Sequence, residues 1–122
     1  MERNEAIDMR LKAPFTAVVS GPTGSGKTKY MISLIEQAKT VTTQQPVEII
    51  YCYGAWQRDF ESLEEKGIRM HEGLLELSTM VDDGENRWLI VDDLMEEVSG
   101  KGSMNNMFTK YSHHRNVCVF FL

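Results

Sequence analysis

The chain has 122 residues, a formal net charge of −5 at pH 7, and 42% hydrophobic residues. That length allows one domain at most, and its apolar content is that of a single globular core. The acidic balance lends no support to a general nucleic-acid-binding surface, which is usually basic. Cys52 and Cys118 each lie inside an apolar run, which reads as buried reduced thiols and not as a disulfide framework. The opening residues MERNE lack the apolar stretch of a signal peptide, and the longest apolar run, 117–122, is far shorter than a membrane span. An intracellular protein with no membrane segment is expected.

Strand-like and helix-like patterns alternate along the chain, with no repeat, linker or low-complexity tract, which predicts an α/β fold with a parallel sheet. Residues 15–20 (FTAVVS) read as a buried strand ending at Gly21. A helix is expected from Gly26, because Met31, Leu34, Ile35 and Ala38 recur at helical spacing. Residues 47–53 (VEIIYCY) read as a second strand, followed by Trp56, Phe60 and Leu63 on one helical face and a stop at Gly67. Residues 68–71 suit a short strand, and Leu74, Leu77 and Val81 a short helix. Residues 83–86 (DGEN) are a turn, and 88–91 (WLIV) a strong strand that ends on Asp92 and Asp93. Gly100, Lys101 and Gly102 form a loop. Ser103 suits the N-cap of a helix carrying Met104, Met107, Phe108 and Tyr111 on one face, and 117–122 is the last strand.

The run Gly21, Pro22, Thr23, Gly24, Ser25, Gly26, Lys27, Thr28 matches the Walker A pattern in full. The glycines let the backbone turn successive N–H groups toward phosphate oxygens, and the loop opens into a helix N-terminus whose partial positive charge favours an anion. Lys27 places an ammonium against the β- and γ-phosphates, and Thr28 offers a hydroxyl to Mg²⁺. The pattern follows an expected strand and opens an expected helix, which an accidental glycine-rich turn would not require. Downstream, the apolar strand 88–91 running into Asp92 and Asp93 has the form of a Walker B element. Asp92 would hold Mg²⁺ through water, and Asp93 is the candidate base that polarises the attacking water. The bland alternative is a pair of acids capping the next helix. Glu96 and Glu97 compete less well for the base role. The chain lacks an Asn-Lys-x-Asp guanine motif, which favours ATP as the nucleotide.

With these motifs in place, the chain resembles the viral genome-packaging ATPases of the FtsK/HerA superfamily, the poxvirus-type enzymes and their relatives in adintoviruses and Polinton-like elements. The resemblance runs over residues 11–122. It is carried by LKAPFT leading into VVS and the phosphate loop, by YGAWQ after the second strand, by Asp92-Asp93-Leu94-Met95, and by SHHRN before the final strand. It implies a P-loop NTPase three-layer sandwich, with residues 1–12 as an N-terminal extension. It also implies a homo-oligomeric ring that hydrolyses ATP with Mg²⁺ and drives double-stranded DNA into a capsid, meeting capsid or portal proteins at sites of virion assembly in the host cytoplasm or nucleus. Many superfamily members carry Glu where Asp93 stands.

The resemblance further implies that strand 117–122 inserts between the Walker A and Walker B strands. Cys52 and Cys118 would then stand two strand spacings apart, roughly 9.5 Å, too far for a disulfide. It places a sensor residue and a further strand beyond Leu122, so the chain is expected to be an ATPase core incomplete at its C-terminus that hydrolyses poorly by itself. His113 and His114 lack a nearby third metal ligand and read as packing or subunit-contact residues. Arg115 is a weak arginine-finger candidate, and Lys101 reads more readily as a solvated lysine than as a DNA contact. Trp56 reads as core or nucleotide-adjacent packing. A small-molecule P-loop kinase and a non-hydrolysing nucleotide-binding module are the alternatives. The first would want an Arg-rich lid that the chain does not show, and the second follows if Asp93 cannot act as a base.

Overall fold

The computed structural model describes residues 10–19, 25–94 and 115–122. Five strands, β1 (Thr16–Val18), β2 (Glu48–Tyr53), β3 (Arg69–Glu72), β4 (Arg87–Asp92) and β5 (Val117–Phe121), form one sheet in the order β1-β5-β4-β2-β3. Every pairing is parallel. Among the described residues three α-helices accompany it: α1 (Ser25–Glu36), the short α2 (Ala38–Val41) and α3 (Phe60–Glu65). The chain is therefore α/β with a parallel sheet, as its alternating patterns predict.

The central strands explain themselves chemically. All six residues of β4 and all five of β5 are buried, as expected of strands covered on both faces. Side-chain alternation divides them between two clusters. Trp88, Ile90, Cys118 and Phe120 join Tyr51 on the face that carries Met31 and Ile35 of α1 and Phe60 and Leu63 of α3. Leu89, Val91, Val117, Val119 and Phe121 face the other way, with Ile50 and Cys52. Leu75, Met80 and Leu94 cover that second face, so among the described residues the α-helices lie on the first face alone. The expected helix from Ser103 lies outside the described residues, as do Met104 and Met107.

Three expectations change. The 15–20 run is not a strand buried on both faces: β1 is three residues long at the sheet edge, with Ala17 turned to the α1 cluster and Val18 70% exposed. Composition cannot distinguish an edge strand covered on one face from a central one. The helix expected at Leu74, Leu77 and Val81 is a single 3-10 turn, Leu77–Thr79, and the buried residues there are Leu75 and Met80. Trp56 precedes α3 and is 45% exposed, its ring meeting Tyr53 and Phe60 edge-on at 5.5 and 5.4 Å. The helix stop at Gly67 and the turn at 83–86 do form. Gly67 and Gly84 have φ of 87° and 80°, and Asp83 Oδ1 accepts from the Glu85 backbone N–H at 3.0 Å.

Polar groups gather at the amino-terminal end of the sheet. Arg87 donates to Asp83 at 2.7 Å and to Glu48 at 3.2 Å. Asn116, in the left-handed region at φ 58°, donates to Gln44 Oε1 and Gly84 O, both at 2.9 Å. Cys52 and Cys118 stand on strands separated by β4 and belong to opposite faces, and both are free. Burial pushes the Cys52 thiol up to about 11 and raises that of Cys118, so both stay protonated and poorly nucleophilic at neutral pH.

Phe120 packs between Phe15 and Trp88, with centroids at 5.3 and 4.8 Å. Phe120→Ala is expected to lower unfolding free energy by about 3–5 kcal/mol in urea denaturation, because the ring is enclosed and its cavity cannot collapse against two other aromatics. The hydrogen bonds from Arg87 hold the Asp83 carboxyl at about 2, below its ordinary 3.8. A carboxyl depressed in the folded state adds stability above its unfolded value and loses it as pH falls through the folded one. The urea midpoint should therefore drop between about pH 4 and pH 2. Asp83→Asn should be the less stable protein at neutral pH and should converge on the wild type near the acid end of that window.

Candidate nucleotide and metal site

The carboxyl-terminal ends of parallel strands, where ligands of α/β sheets bind, hold most of the described candidates. Helix α1 opens at Ser25, so Gly26, Lys27 and Thr28 form its first turn. That turn leaves backbone N–H groups without intrahelical partners. Strand β4 ends at Asp92, and alternation from Trp88 and Ile90 turns Asp92 to the α1 face. Thr28 Oγ1 donates to Asp92 Oδ2 at 3.2 Å across a sequence separation of 64, with both residues buried. Gly21, Pro22, Thr23 and Gly24 lie outside the described residues.

Sequence reasoning missed a third member of this contact. Tyr51, fully buried on the adjacent strand β2, donates its hydroxyl to the same Asp92 Oδ2 at 2.6 Å. Its register partner on β4 is Ile90, one pleat below Asp92, which sets the phenol at the right height. Burial first, and the bond to Asp92 second, push the Tyr51 phenol far above its ordinary range, so it remains a neutral donor. In the sequence Tyr51 is one aromatic in an apolar strand. Only its alternation, in phase with Tyr53 and out of phase with Cys52, hinted at its facing.

Asp93 follows at φ 60°, a left-handed conformation that Asp tolerates, and its side chain is exposed. The loop after β2 runs beside it: a Cβ built on Gly54 would lie 3.5 Å from the Asp93 carbonyl oxygen. Asp92 and Asp93 thus differ, one buried and bonded, one open to solvent. Glu96, Glu97, Lys101, His113 and His114 lie outside the described residues. Arg115 sits at the other end of the sheet, where its guanidinium donates to Met80 O at 3.0 Å and lies 3.9 Å from Asp82. That contact gives it a structural role away from Asp92.

Among the described residues, no Lys or Arg lies within ion-pair distance of Asp92. No group of three or more His, Cys, Asp or Glu among them is arranged to hold a metal unaided. A threonine hydroxyl beside one carboxylate is nevertheless a donor set that suits Mg²⁺, which takes one or two protein oxygens and completes its shell with phosphate and water. None of the described helices is long and apolar enough to cross a membrane. No protein-family model, curated protein or solved structure matches the chain.

Among the described residues Asp92 has no counter-cation, and a buried carboxylate in that setting is unfavourable even when it accepts two hydrogen bonds. Asp92→Asn preserves an acceptor for both hydroxyls and removes that charge. The variant is expected to unfold at higher urea than the wild type, by on the order of 1 kcal/mol. A comparable loss of stability would mean that the charge serves the fold.

Proposed function

We propose that the chain is the core of a P-loop ATPase that binds MgATP at the carboxyl-terminal end of its sheet. The observation that carries this reading is the contact of Thr28 with Asp92, which brings the end of the phosphate-loop motif against the acid that closes β4. The placement of β5 between β1 and β4 supports it, being the strand order that the packaging-ATPase resemblance implies. On this reading the loop Gly21, Pro22, Thr23, Gly24, Ser25 and Gly26 wraps the phosphates, its N–H groups other than the missing one of Pro22 donate to their oxygens, and Lys27 neutralises β- and γ-oxygens. Thr28 and Asp92 hold Mg²⁺, whose charge offsets that developing on the phosphates. Asp93, exposed at the strand end, takes a proton from the attacking water. The finer assignment, a homo-oligomeric ring that moves double-stranded DNA into a capsid, rests on the resemblance over residues 11–122.

The experiment is thermal unfolding of the protein with and without MgATP, combined with phosphate release. At ligand concentrations near 100-fold above Kd, binding should stabilise the fold by about 2.7 kcal/mol and raise the midpoint by several degrees. Lys27→Ala should abolish the shift. Asp93→Asn should keep the shift and reduce turnover by about 10²-fold or more. An unmoved midpoint in the wild type would end the ATPase reading, and turnover indifferent to double-stranded DNA would end the packaging one.

A further inference from the structure

We propose that Tyr51 is a positioning residue for the metal, orienting Asp92 so that one carboxylate oxygen stays committed to the protein while the other serves Mg²⁺. This rests on the MgATP reading above. Both hydrogen bonds to the carboxylate fall on Oδ2, from Tyr51 at 2.6 Å and Thr28 at 3.2 Å, and among the described residues none falls on Oδ1. The shorter bond comes from the stiffer donor. The Tyr51 ring has two side-chain torsions, lies fully buried, and is braced by Phe60 with centroids 5.1 Å apart. Thr28, by contrast, is assigned to the metal, so its hydroxyl must turn an oxygen lone pair toward the ion when Mg²⁺ is present. Tyr51 then remains the anchor that fixes the carboxylate plane. A phenol cannot replace an ammonium: it holds the carboxylate in place and leaves its charge for the cation.

The anchoring also links two parts of the sheet. Asp92 is the last residue of β4, and beyond it the chain leaves the strand geometry at Asp93. A carboxylate at such a point would sample rotamers unless a neighbouring strand held it. β2 provides that hold from a position, Tyr51, that the phosphate-loop and acid-pair motifs do not contain. Hydrogen bonds to charged groups are worth about 1.5–3 kcal/mol, which corresponds to tenfold or more in an equilibrium constant.

The test is calorimetric titration of the full chain with ADP, once with Mg²⁺ and once with a chelator, for wild type, Tyr51→Phe and Tyr53→Phe. Tyr51→Phe keeps the buried ring and deletes only the hydroxyl. Tyr53 shares the strand and face and serves as the matched control. The proposal expects the wild type to bind more tightly with Mg²⁺ than without. It expects Tyr51→Phe to keep its metal-free affinity while the Mg²⁺ enhancement falls about tenfold, and Tyr53→Phe to keep both. Thermal unfolding checks that each variant folds. An undiminished enhancement in Tyr51→Phe overturns the proposal and leaves the nucleotide reading intact. Equal losses with and without Mg²⁺ overturn it as well, since they mark a structural role. A wild type that binds no ADP in either condition removes the nucleotide reading and this proposal with it.

Discussion

The organisation of the molecule converges on one oxygen atom. Asp92 Oδ2 accepts from Thr28 on α1 and from Tyr51 on β2, while its own backbone belongs to β4. Three elements that are distant in sequence therefore share a single buried acceptor. An acid in this position requires several coincidences: a strand that ends there, a facing that turns the carboxylate inward, and a helix that begins within reach. If one of these is lost, the carboxylate is either solvated and featureless or buried and intolerable.

The sheet order makes the coincidence possible. β5 lies between β1 and β4, so the strand that leads into α1 stands one place removed from the strand that ends in Asp92. Helix α1 covers that interval, with Met31 and Ile35 packed into the cluster containing Trp88, Ile90 and Phe120. The apolar contact sets the depth of the helix, and the first turn of α1 then stands at the carboxyl-terminal end of β4. Packing and chemistry are in this sense the same constraint: the residues that bury α1 are those that deliver Thr28.

The two ends of the sheet are treated differently. At the amino-terminal end, polar groups have partners within the protein: Arg87 with Asp83 and Glu48, Arg115 with Met80 O, and Asn116 with Gln44 and Gly84. At the carboxyl-terminal end, Asp92 is bonded among the described residues by two neutral hydroxyls, and Asp93 is exposed. An end whose charges are mutually satisfied stabilises the fold. An acid whose described partners are neutral is chemically suited to a cation, and this contrast between the two ends does not depend on any motif.

Much of this was legible in one dimension. Alternating patterns identified a parallel α/β sheet, the spacing of Met31 and Ile35 identified α1, and Gly67 and the 83–86 turn were read from the backbone freedom such positions need. Thr28 and Asp92 were singled out because phosphate and magnesium chemistry demands those groups in that local context. What the sequence by itself determined was local: periodicity, the helix stop at Gly67 and the 83–86 turn. The exposure of Trp56, the contrast between buried Asp92 and open Asp93, and the hydroxyl of Tyr51 on Oδ2 were decided only by tertiary structure. They depend on which strands become neighbours and how their pleats register, and register is a relation between segments that no single segment encodes.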